Sequence, residues 1–305
     1  MARTVLARGC RGALVVAAQR KLLAEAHYND VVDGIYGGVT EKAVRLFQSS
    51  AGMERSGRID DETWASLMKE PVPSLWERCL QLTAAFEGHN YGLLVGNFDG
   101  AGLTWGIIGF TLKHGELSEI VLEVFATNPQ LVRGIFAENT NALVQVMRAT
   151  KDEQLHWADT ISTGSKKVRV AEPWASGFYE FGNQVEVQAI QIRRAHEMYF
   201  VPALETANAL QLRTELGVSL CFDIHVQNGG IKASAMKAIG AGRPTLPPGD
   251  ERALRVLVAN AVADNARPAY RGDVRARKLC IATSNGSVHG ASFSLDSWGL
   301  AEFDA

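Results

Sequence analysis

The sequence predicts a mainly α-helical protein in two parts, a small helical bundle followed by a larger, mainly helical region with a small β element. Three observations support this prediction. Apolar residues recur at helical spacing from Leu14 to Leu23. The two prolines of residues 69–73 mark a short, stiff linker. Beyond the linker, a glycine-rich extended stretch at 95–110 precedes three helical candidates, which cover residues 184–210, 216–227 and 251–266.

Composition limits the classes of function. A chain of 305 residues is long enough for a small domain followed by a medium one. Its formal net charge of -2 gives no support to a nucleic-acid binder that neutralises phosphates. The four cysteines are far apart and form no Cys-x-x-Cys pair, which argues against a zinc site. We therefore expect buried free thiols, no metal and no cofactor.

The N-terminus resembles a signal peptide only superficially. Three arginines precede an apolar segment at residues 13–18, but this segment is too short for the apolar core of an export signal. No later segment supplies the roughly 18 uncharged apolar residues that a transmembrane helix needs. We therefore expect synthesis in the cytoplasm without a visible export signal and no stable insertion into a membrane.

Residues 1–68 form the predicted N-terminal module. A first helix carries the apolar series noted above, and the turn at 33–37 is rich in residues that tolerate tight backbone geometry. Thr40 is a candidate N-cap for a second helix, and a short third helix carries Trp64. Because a module of this size buries little surface, we expect Phe47 and Trp64 to form much of its core.

The same module resembles a known family. Its spacing matches the three-helix peptidoglycan-binding domain of bacterial and phage wall hydrolases at Arg8-Gly9-Cys10-Arg11-Gly12, Gln19, Leu22, Asp33-Gly34-Ile35-Tyr36-Gly37, Thr40, Ala43-Val44, Phe47-Gln48, Gly57, Ile59-Asp60, Thr63-Trp64 and Leu67. The resemblance covers nearly the whole module. It implies that the module binds peptidoglycan.

A helix is predicted to follow the linker at 69–74. Ser74 and Glu77 have the spacing of a capping box at its start. Apolar residues form one stripe along the helix, which ends at Glu87, and Gly88 is available as its C-terminal stop. The predicted domains are therefore residues 1–68, the linker 69–74, and residues 75–305.

Two carboxylates could perform glycosidic cleavage. That reaction requires a proton donor for the leaving oxygen and a second carboxylate that attacks the sugar or activates a water. Glu87 suits the donor role, because it follows Phe86 at the end of an amphipathic helix. Asp99 lies in a glycine-rich turn that leaves room for a sugar ring. Among 33 acidic residues, this pairing alone is not specific.

The surrounding motifs add specificity. They resemble the active-site segment of the family 46 chitosanases, which have a lysozyme-like fold and invert the anomeric configuration, at Ala85-Phe86-Glu87 and Asp99-Gly100-Ala101-Gly102-Leu103-Thr104-Trp105-Gly106-Ile107-Ile108-Gly109-Phe110. The resemblance implies that Glu87 is the general acid, that Asp99 is the base, and that Thr104 orients the water. It also implies a substrate contact at Glu116. A later segment, 216–229, resembles another helix of that family.

The sequence departs from this family in three places. The interval between Glu87 and Asp99 is shorter than in chitosanases, Ala101 replaces a common basic residue, and Glu116 replaces the usual Asp. These departures put the substrate in doubt more than the reaction type.

Other motifs have weaker functional interpretations. Seven histidines include no His-Glu-x-x-His pattern, so a zinc peptidase has poor support. His89 and Tyr91 lie close to Glu87 and are candidate sugar contacts, although surface residues without a function are equally common. Four tryptophans could stack on sugars, but tryptophan is more often packed in a core. They are Trp105, Trp157, Trp174 and Trp298.

We therefore expect a monomeric peptidoglycan hydrolase, similar to phage endolysins, that cuts the glycan strand by an inverting mechanism. Such an enzyme would reach the wall through a membrane lesion made by a holin-type protein. The alternatives are a chitosanase, a lytic transglycosylase that needs only one glutamate, and a non-catalytic wall-binding or phage structural protein.

Overall fold

The structure is a computed structural model that describes residues 3–87 and 90–305. It is mainly helical with several small sheets, as predicted. The chain forms two compact units, one from the residues up to Phe86 together with Met198–Ala305, and one from Glu87–Glu197. Within the described residues, no helix has the length and apolar character that crossing a membrane requires.

The N-terminal segment contains three helices and one small sheet. Strand β1 (Thr4–Leu6) pairs antiparallel with β2 (Ile59–Asp60). Helices α1 (Ala13–Ala24), α2 (Gly38–Ser50) and α3 (Asp61–Met68) complete it. Phe47 and Trp64 are buried, which confirms the predicted core. All four cysteines are buried and free, also as predicted.

Two buried glutamines hold the turns of this segment. Gln19 accepts a hydrogen bond from the Gly34 N–H at 2.8 Å and donates to the Thr40 hydroxyl at 3.0 Å. Gln48 accepts from the Gly57 N–H at 2.9 Å. The prediction that Thr40 is the N-cap of α2 is wrong. Gly37 occupies that position, and the helix starts earlier because the Thr40 side chain is buried as the partner of Gln19.

The linker leads directly into α4 (Leu75–Glu87). The predicted capping box is present, since the Ser74 N–H donates to Glu77 Oε2 at 2.7 Å and the Glu77 N–H donates to Ser74 Oγ at 3.3 Å. The linker is also attached to the N-terminal segment, because the Trp64 indole N–H donates to the Pro71 carbonyl at 2.9 Å. The predicted C-terminal stop, Gly88, lies outside the described residues.

The unit Glu87–Glu197 contains a three-stranded sheet of β3 (Leu94–Val95), β4 (Thr104–Trp105) and β5 (Phe110–Thr111). A small hairpin of β6 (Ser162–Thr163) and β7 (Arg169–Val170) lies further along. Six helices surround these strands: α5 (Glu116–Thr127), α6 (Pro129–Phe136), α7 (Thr140–Arg148), α8 (Lys151–Ile161), α9 (Trp174–Gly182) and α10 (Val185–Ala195). Trp105 stacks on Phe181 with ring centroids 5.6 Å apart.

The rest of the chain is helical until its end. A π-helical turn (His196–Phe200) follows α10, and the elements beyond it are α11 (Val201–Leu210), α12 (Glu215–Asn228), α13 (Ala233–Gly242), α14 (Glu251–Asp264), α15 (Arg271–Ala282), and the hairpin strands β8 (Asn285–Val288) and β9 (Ala291–Ser294). All three predicted helical candidates are therefore present. The 184–210 candidate is interrupted by the π-turn.

The N-terminal segment packs against the C-terminal part of its own unit. The Ala7 N–H donates to the Ser297 carbonyl at 3.1 Å, and Arg3 forms an ion pair with Glu215 at 2.9 Å. Arg58 forms a further ion pair with Asp296. Contacts of this kind make the segment an integral part of a larger core. The sequence-based boundaries at residues 68 and 75 stay a prediction.

A fully buried acidic side chain lies at the centre of the same unit. Asp223 forms ion pairs with Arg277 at 2.6 Å and with Lys278 at 2.5 Å. Burial alone would raise the pKa of Asp223, but the attraction of the two cations outweighs it and lowers that pKa from 3.8 to about 2. The cluster therefore holds a charged carboxylate inside the core.

Candidate active site

The sheet of β3, β4 and β5 separates an apolar side from a polar side. Trp105 pairs with Phe110 across the strands, and both side chains are fully buried. The neighbouring pair, Thr104 and Thr111, is half-buried. Because adjacent residues of a strand point to opposite faces, the two threonines share the face away from the aromatic core. Thr104 therefore presents its hydroxyl on the polar face.

Asp99 lies on the loop that leads into this strand. Its side chain is exposed, and Oδ1 accepts a hydrogen bond from the Ala101 N–H at 3.0 Å. Asn97 fixes the start of the loop, since its N–H donates to Ser162 Oγ at 2.8 Å and its Oδ1 accepts from the Gly102 N–H at 3.0 Å. The loop thus holds an exposed carboxylate five positions before Thr104, and the role of Asp99 as the base stays a prediction.

Gly102 is the residue that permits this tight loop. Its φ of 76° lies in the left-handed region, and an added Cβ would approach Leu155 Cδ2 to 2.9 Å. The left-handed backbone conformation therefore favours glycine there, and the side chains of Leu155 and Leu112 would have to shift to admit a Cβ.

Glu116 is the first residue of α5 and is only 6% exposed. Its Oε2 accepts hydrogen bonds from the Thr111 N–H at 2.9 Å and from the Thr111 hydroxyl at 3.3 Å. Since Thr111 is the cross-strand partner of Thr104, Glu116 supports the strand beside the candidate water-orienting hydroxyl. The substrate contact that the resemblance implies for Glu116 stays a prediction.

Glu87 and Tyr91 lie at the end of α4 and on the chain just after it. Glu87 is the last residue of α4 and is half-buried. Tyr91 is half-buried, and burial raises its pKa to about 12, so its phenol is neutral at physiological pH. The third candidate near this helix end, His89, lies outside the described residues.

One side chain that links two segments of this unit was not identified from the sequence. Gln191 on α10 is fully buried, and its Nε2 donates to the Tyr91 carbonyl at 3.0 Å while its Oε1 accepts from the Ile107 N–H at 3.0 Å. A Cβ on Gly106 would lie 2.4 Å from that same Oε1. Gln191 therefore joins the segment that follows Glu87 to the end of strand β4. A single glutamine within a helix carries no sequence signal for such a role.

These contacts define two groups of candidate residues. Asp99, Thr104 and Glu116 belong to the sheet and its adjoining turns, whereas Glu87 and Tyr91 belong to the end of α4 and the chain after it. Within residues 3–87 and 90–305, no group of three or more metal-ligating side chains is arranged to hold a metal ion. The chemistry available to the described groups is that of carboxylates, hydroxyls and amides.

Comparisons with known proteins agree with both resemblances seen in the sequence. The family described as putative peptidoglycan binding domain matches residues 11–67, and the family described as glycosyl hydrolase family 46 matches residues 83–243. No curated protein matches the chain.

Solved chitosanases share the fold. A mutant chitosanase from Bacillus subtilis MY002 complexed with 6 GlcN is 21% identical with a TM-score of 0.50, over 72% of this chain and 94% of that one. A second chitosanase complex is 23% identical with a TM-score of 0.50, over 71% of this chain and 94% of the other. At such identities the likeness concerns the fold alone.

Proposed function

The chain belongs to glycosyl hydrolase family 46, and we propose that its substrate is the glycan strand of bacterial peptidoglycan. Membership of this family makes the protein a glycoside hydrolase that acts on O-glycosidic bonds of a polysaccharide. The choice of peptidoglycan rests on one observation, which is that residues 11–67 of the same chain match a peptidoglycan-binding domain. An attached binding domain raises the local concentration of cleavable bonds on an insoluble polymer.

The proposed mechanism is a single displacement. Glu87 protonates the leaving oxygen, and Asp99 removes a proton from a water that attacks the opposite face of the sugar. Thr104 supplies a hydroxyl that orients this water. The exposed position of Asp99 supports its assignment as the base, because a solvated carboxylate is readily ionised. This scheme predicts products with an inverted anomeric configuration and reducing ends.

Chitosan is the second candidate substrate. The solved structures that share the fold are chitosanases, and one of them is complexed with 6 GlcN. A chitosanase binds a polycation and therefore needs an acidic cleft. The two substrates are separated by assaying the same protein on peptidoglycan sacculi and on chitosan.

The decisive experiment compares the full-length protein with Glu87→Gln and Asp99→Asn on sacculi. Turbidity reports cleavage, and mass spectrometry identifies the new ends. The matched control is Glu138→Gln, which removes an exposed carboxylate from the same unit. We expect both variants to lose activity by at least about 100-fold, because each removes an acid or base from the transition state, and the control to remain active.

Three other outcomes would change the proposed reaction or substrate. Anhydromuramyl ends with little loss in Asp99→Asn would indicate a lytic transglycosylase. Cleavage of chitosan but not of sacculi would indicate a chitosanase. A wild-type protein that binds sacculi and cleaves neither polymer would contradict the enzymatic proposal.

A further inference from the structure

A cavity of about 600 Å³ opens on the N-terminal segment, between the chain after α1 and the exposed side of α2. Its lining is formed by Ala26, His27, Tyr28, Asn29, Asp30, Gly38, Val39, Lys42, Ala43 and Leu46. We propose that this cavity, here called the α1–α2 pocket, binds the peptide stem of peptidoglycan rather than its glycan. The inference rests on the proposed function, because it assigns a substrate contact to the wall-binding segment.

Opposite charges line the pocket. Asp30 is exposed, and its Oδ1 already accepts a hydrogen bond from the Val31 N–H at 2.8 Å, which fixes the direction of the carboxylate. Lys42 is exposed on α2, and no carboxylate in the described part of the chain lies within ion-pair distance of it. By contrast, Arg45 on the same helix is paired with Glu41 at 2.9 Å. The pocket therefore offers one unpaired cation and one anion.

Peptide stems carry the matching groups. They contain free carboxylates and, at the diamino acid position, an ammonium group, whereas the sugars of the strand present mostly neutral hydroxyls and amides. An ammonium group of Lys42 pairs with a carboxylate of the stem, and Asp30 pairs with its ammonium. This complementarity favours the peptide as the occupant.

The apolar part of the lining points to the same occupant. Val39 and Leu46 are 47% and 44% exposed, respectively, and both line the pocket. Together with Ala26 they form an apolar surface suited to the methyl groups of alanine residues. Pockets that orient a ligand combine such an apolar surface with a few polar groups.

The aromatic rings of the pocket are held by contacts within the segment. Tyr28 is 5% exposed, and its hydroxyl donates to the Val31 carbonyl at 2.7 Å. His27 packs edge-on against Phe47 with ring centroids 5.7 Å apart. Sugar binding commonly uses an open aromatic face. Tyr28 therefore offers no open face for stacking on a sugar, and His27 is held by its contact with Phe47.

Binding measurements on the full-length protein test the proposal. The variants are Lys42→Gln, which removes the cation, and Asp30→Asn, which keeps an oxygen for the Val31 N–H. The control is Arg20→Gln, which removes an exposed cation of α1 that is not part of the pocket lining. The probes are a synthetic stem tetrapeptide that contains a diamino acid, intact sacculi, and sacculi whose peptides have been removed by an amidase.

We expect the tetrapeptide to bind the wild type and the control equally, and each pocket variant to lose about tenfold in affinity, since one charge-assisted contact is removed. Added salt should weaken the wild-type interaction. The proposal is overturned if peptide-free sacculi bind as well as intact ones, or if the pocket variants bind the tetrapeptide normally. Hydrolysis is measured separately, so a protein that binds the tetrapeptide but cleaves only chitosan would refute the proposed substrate and leave this inference standing.

Discussion

Glu116 receives two hydrogen bonds from Thr111, one from its backbone N–H at 2.9 Å and one from its hydroxyl at 3.3 Å. The strand that carries Thr111 is paired with the strand that carries Thr104. A buried carboxylate at the start of α5 thereby supports the strand beside the proposed water-orienting hydroxyl.

Substitutions of Glu116 distinguish a role in supporting the strand through Thr111 from a direct contact with the substrate. Glu116→Gln keeps an oxygen that accepts from Thr111, whereas Glu116→Leu leaves a buried N–H unsatisfied. If Glu116 acts through Thr111, we expect Glu116→Gln to retain most activity and Glu116→Leu to lose about 10-fold to 100-fold in kcat. Steady-state kinetics on the cleaved polymer measure both values. A large increase in KM for Glu116→Gln would instead identify the charge as a substrate contact.

Gln191 provides a second test of positioning. Gln191→Leu removes the bonds to both Tyr91 and Ile107, and Gln191→Glu removes the donor to Tyr91 but keeps the acceptor for Ile107. We expect kcat to fall by about 10-fold to 100-fold in the leucine variant, with KM little changed, because the catalytic segments lose alignment. Gln191→Glu should retain intermediate activity. The control is Gln188→Leu, a half-exposed glutamine on the same helix, and an equal loss there would exclude a specific role.

The hydroxyl of Thr104 can be removed with almost no change in shape. We expect Thr104→Val to lower kcat by about 10-fold to 100-fold, since the attacking water loses one hydrogen-bond partner. Thr104→Ser restores the hydroxyl and should recover most of the rate. Initial rates measured at saturating substrate compare the three proteins. If valine and serine variants are equally active, the hydroxyl takes no part in the reaction.

The buried carboxylate of Asp223 predicts a defined dependence of stability on pH. Its pKa is lowered to about 2 in the folded protein, against roughly 3.9 in an unfolded chain. The folded state therefore binds the proton less readily, and its stabilisation is complete above about pH 5 and is lost as the pH falls from about 4 to 2. Urea unfolding across this range measures the effect.

The variant Asp223→Asn removes the buried negative charge that pairs with Arg277 and Lys278. We expect it to lower the free energy of unfolding at neutral pH by about 3–5 kcal/mol. The matched control is Asp296→Asn, because Asp296 pairs with Arg58 on the surface with its side chain 60% exposed, and such pairs contribute roughly 0–1 kcal/mol. Equal effects of the two substitutions would show that burial does not increase the contribution of the Asp223 ion pairs to the free energy of unfolding.

Contacts between residues that are close in the sequence made part of this fold predictable. Ser74 and Glu77 form the predicted capping box, and Asp250 caps α14 by accepting from the Ala253 N–H at 2.9 Å. Such caps depend on side chains three residues apart, which a sequence displays directly. Thr40 had the residue type of a cap, but its contact with Gln19, 21 residues away, determined where its side chain lies.

Contacts between distant residues account for what was missed. Gln191 bonds to Tyr91, 100 residues earlier, and Asp223 pairs with cations more than 50 residues later. Each of these contacts joins residues that do not share an element, so no pattern within one helix or strand identifies them. The pairing of Glu87 with Asp99 became specific, and Thr104 could be named, only because the motifs around them resemble a known family.

The attachment of the N-terminal segment limits how this protein can be recombined with other enzymes. Several contacts join this segment to the rest of its unit. They include those of Ala7 with Ser297, of Arg58 with Asp296, and of Trp64 with the linker carbonyl of Pro71. A graft of residues 1–68 alone onto another hydrolase would expose the surfaces that these contacts cover. A transferable cassette would have to carry the partner surface formed by residues 295–298 as well.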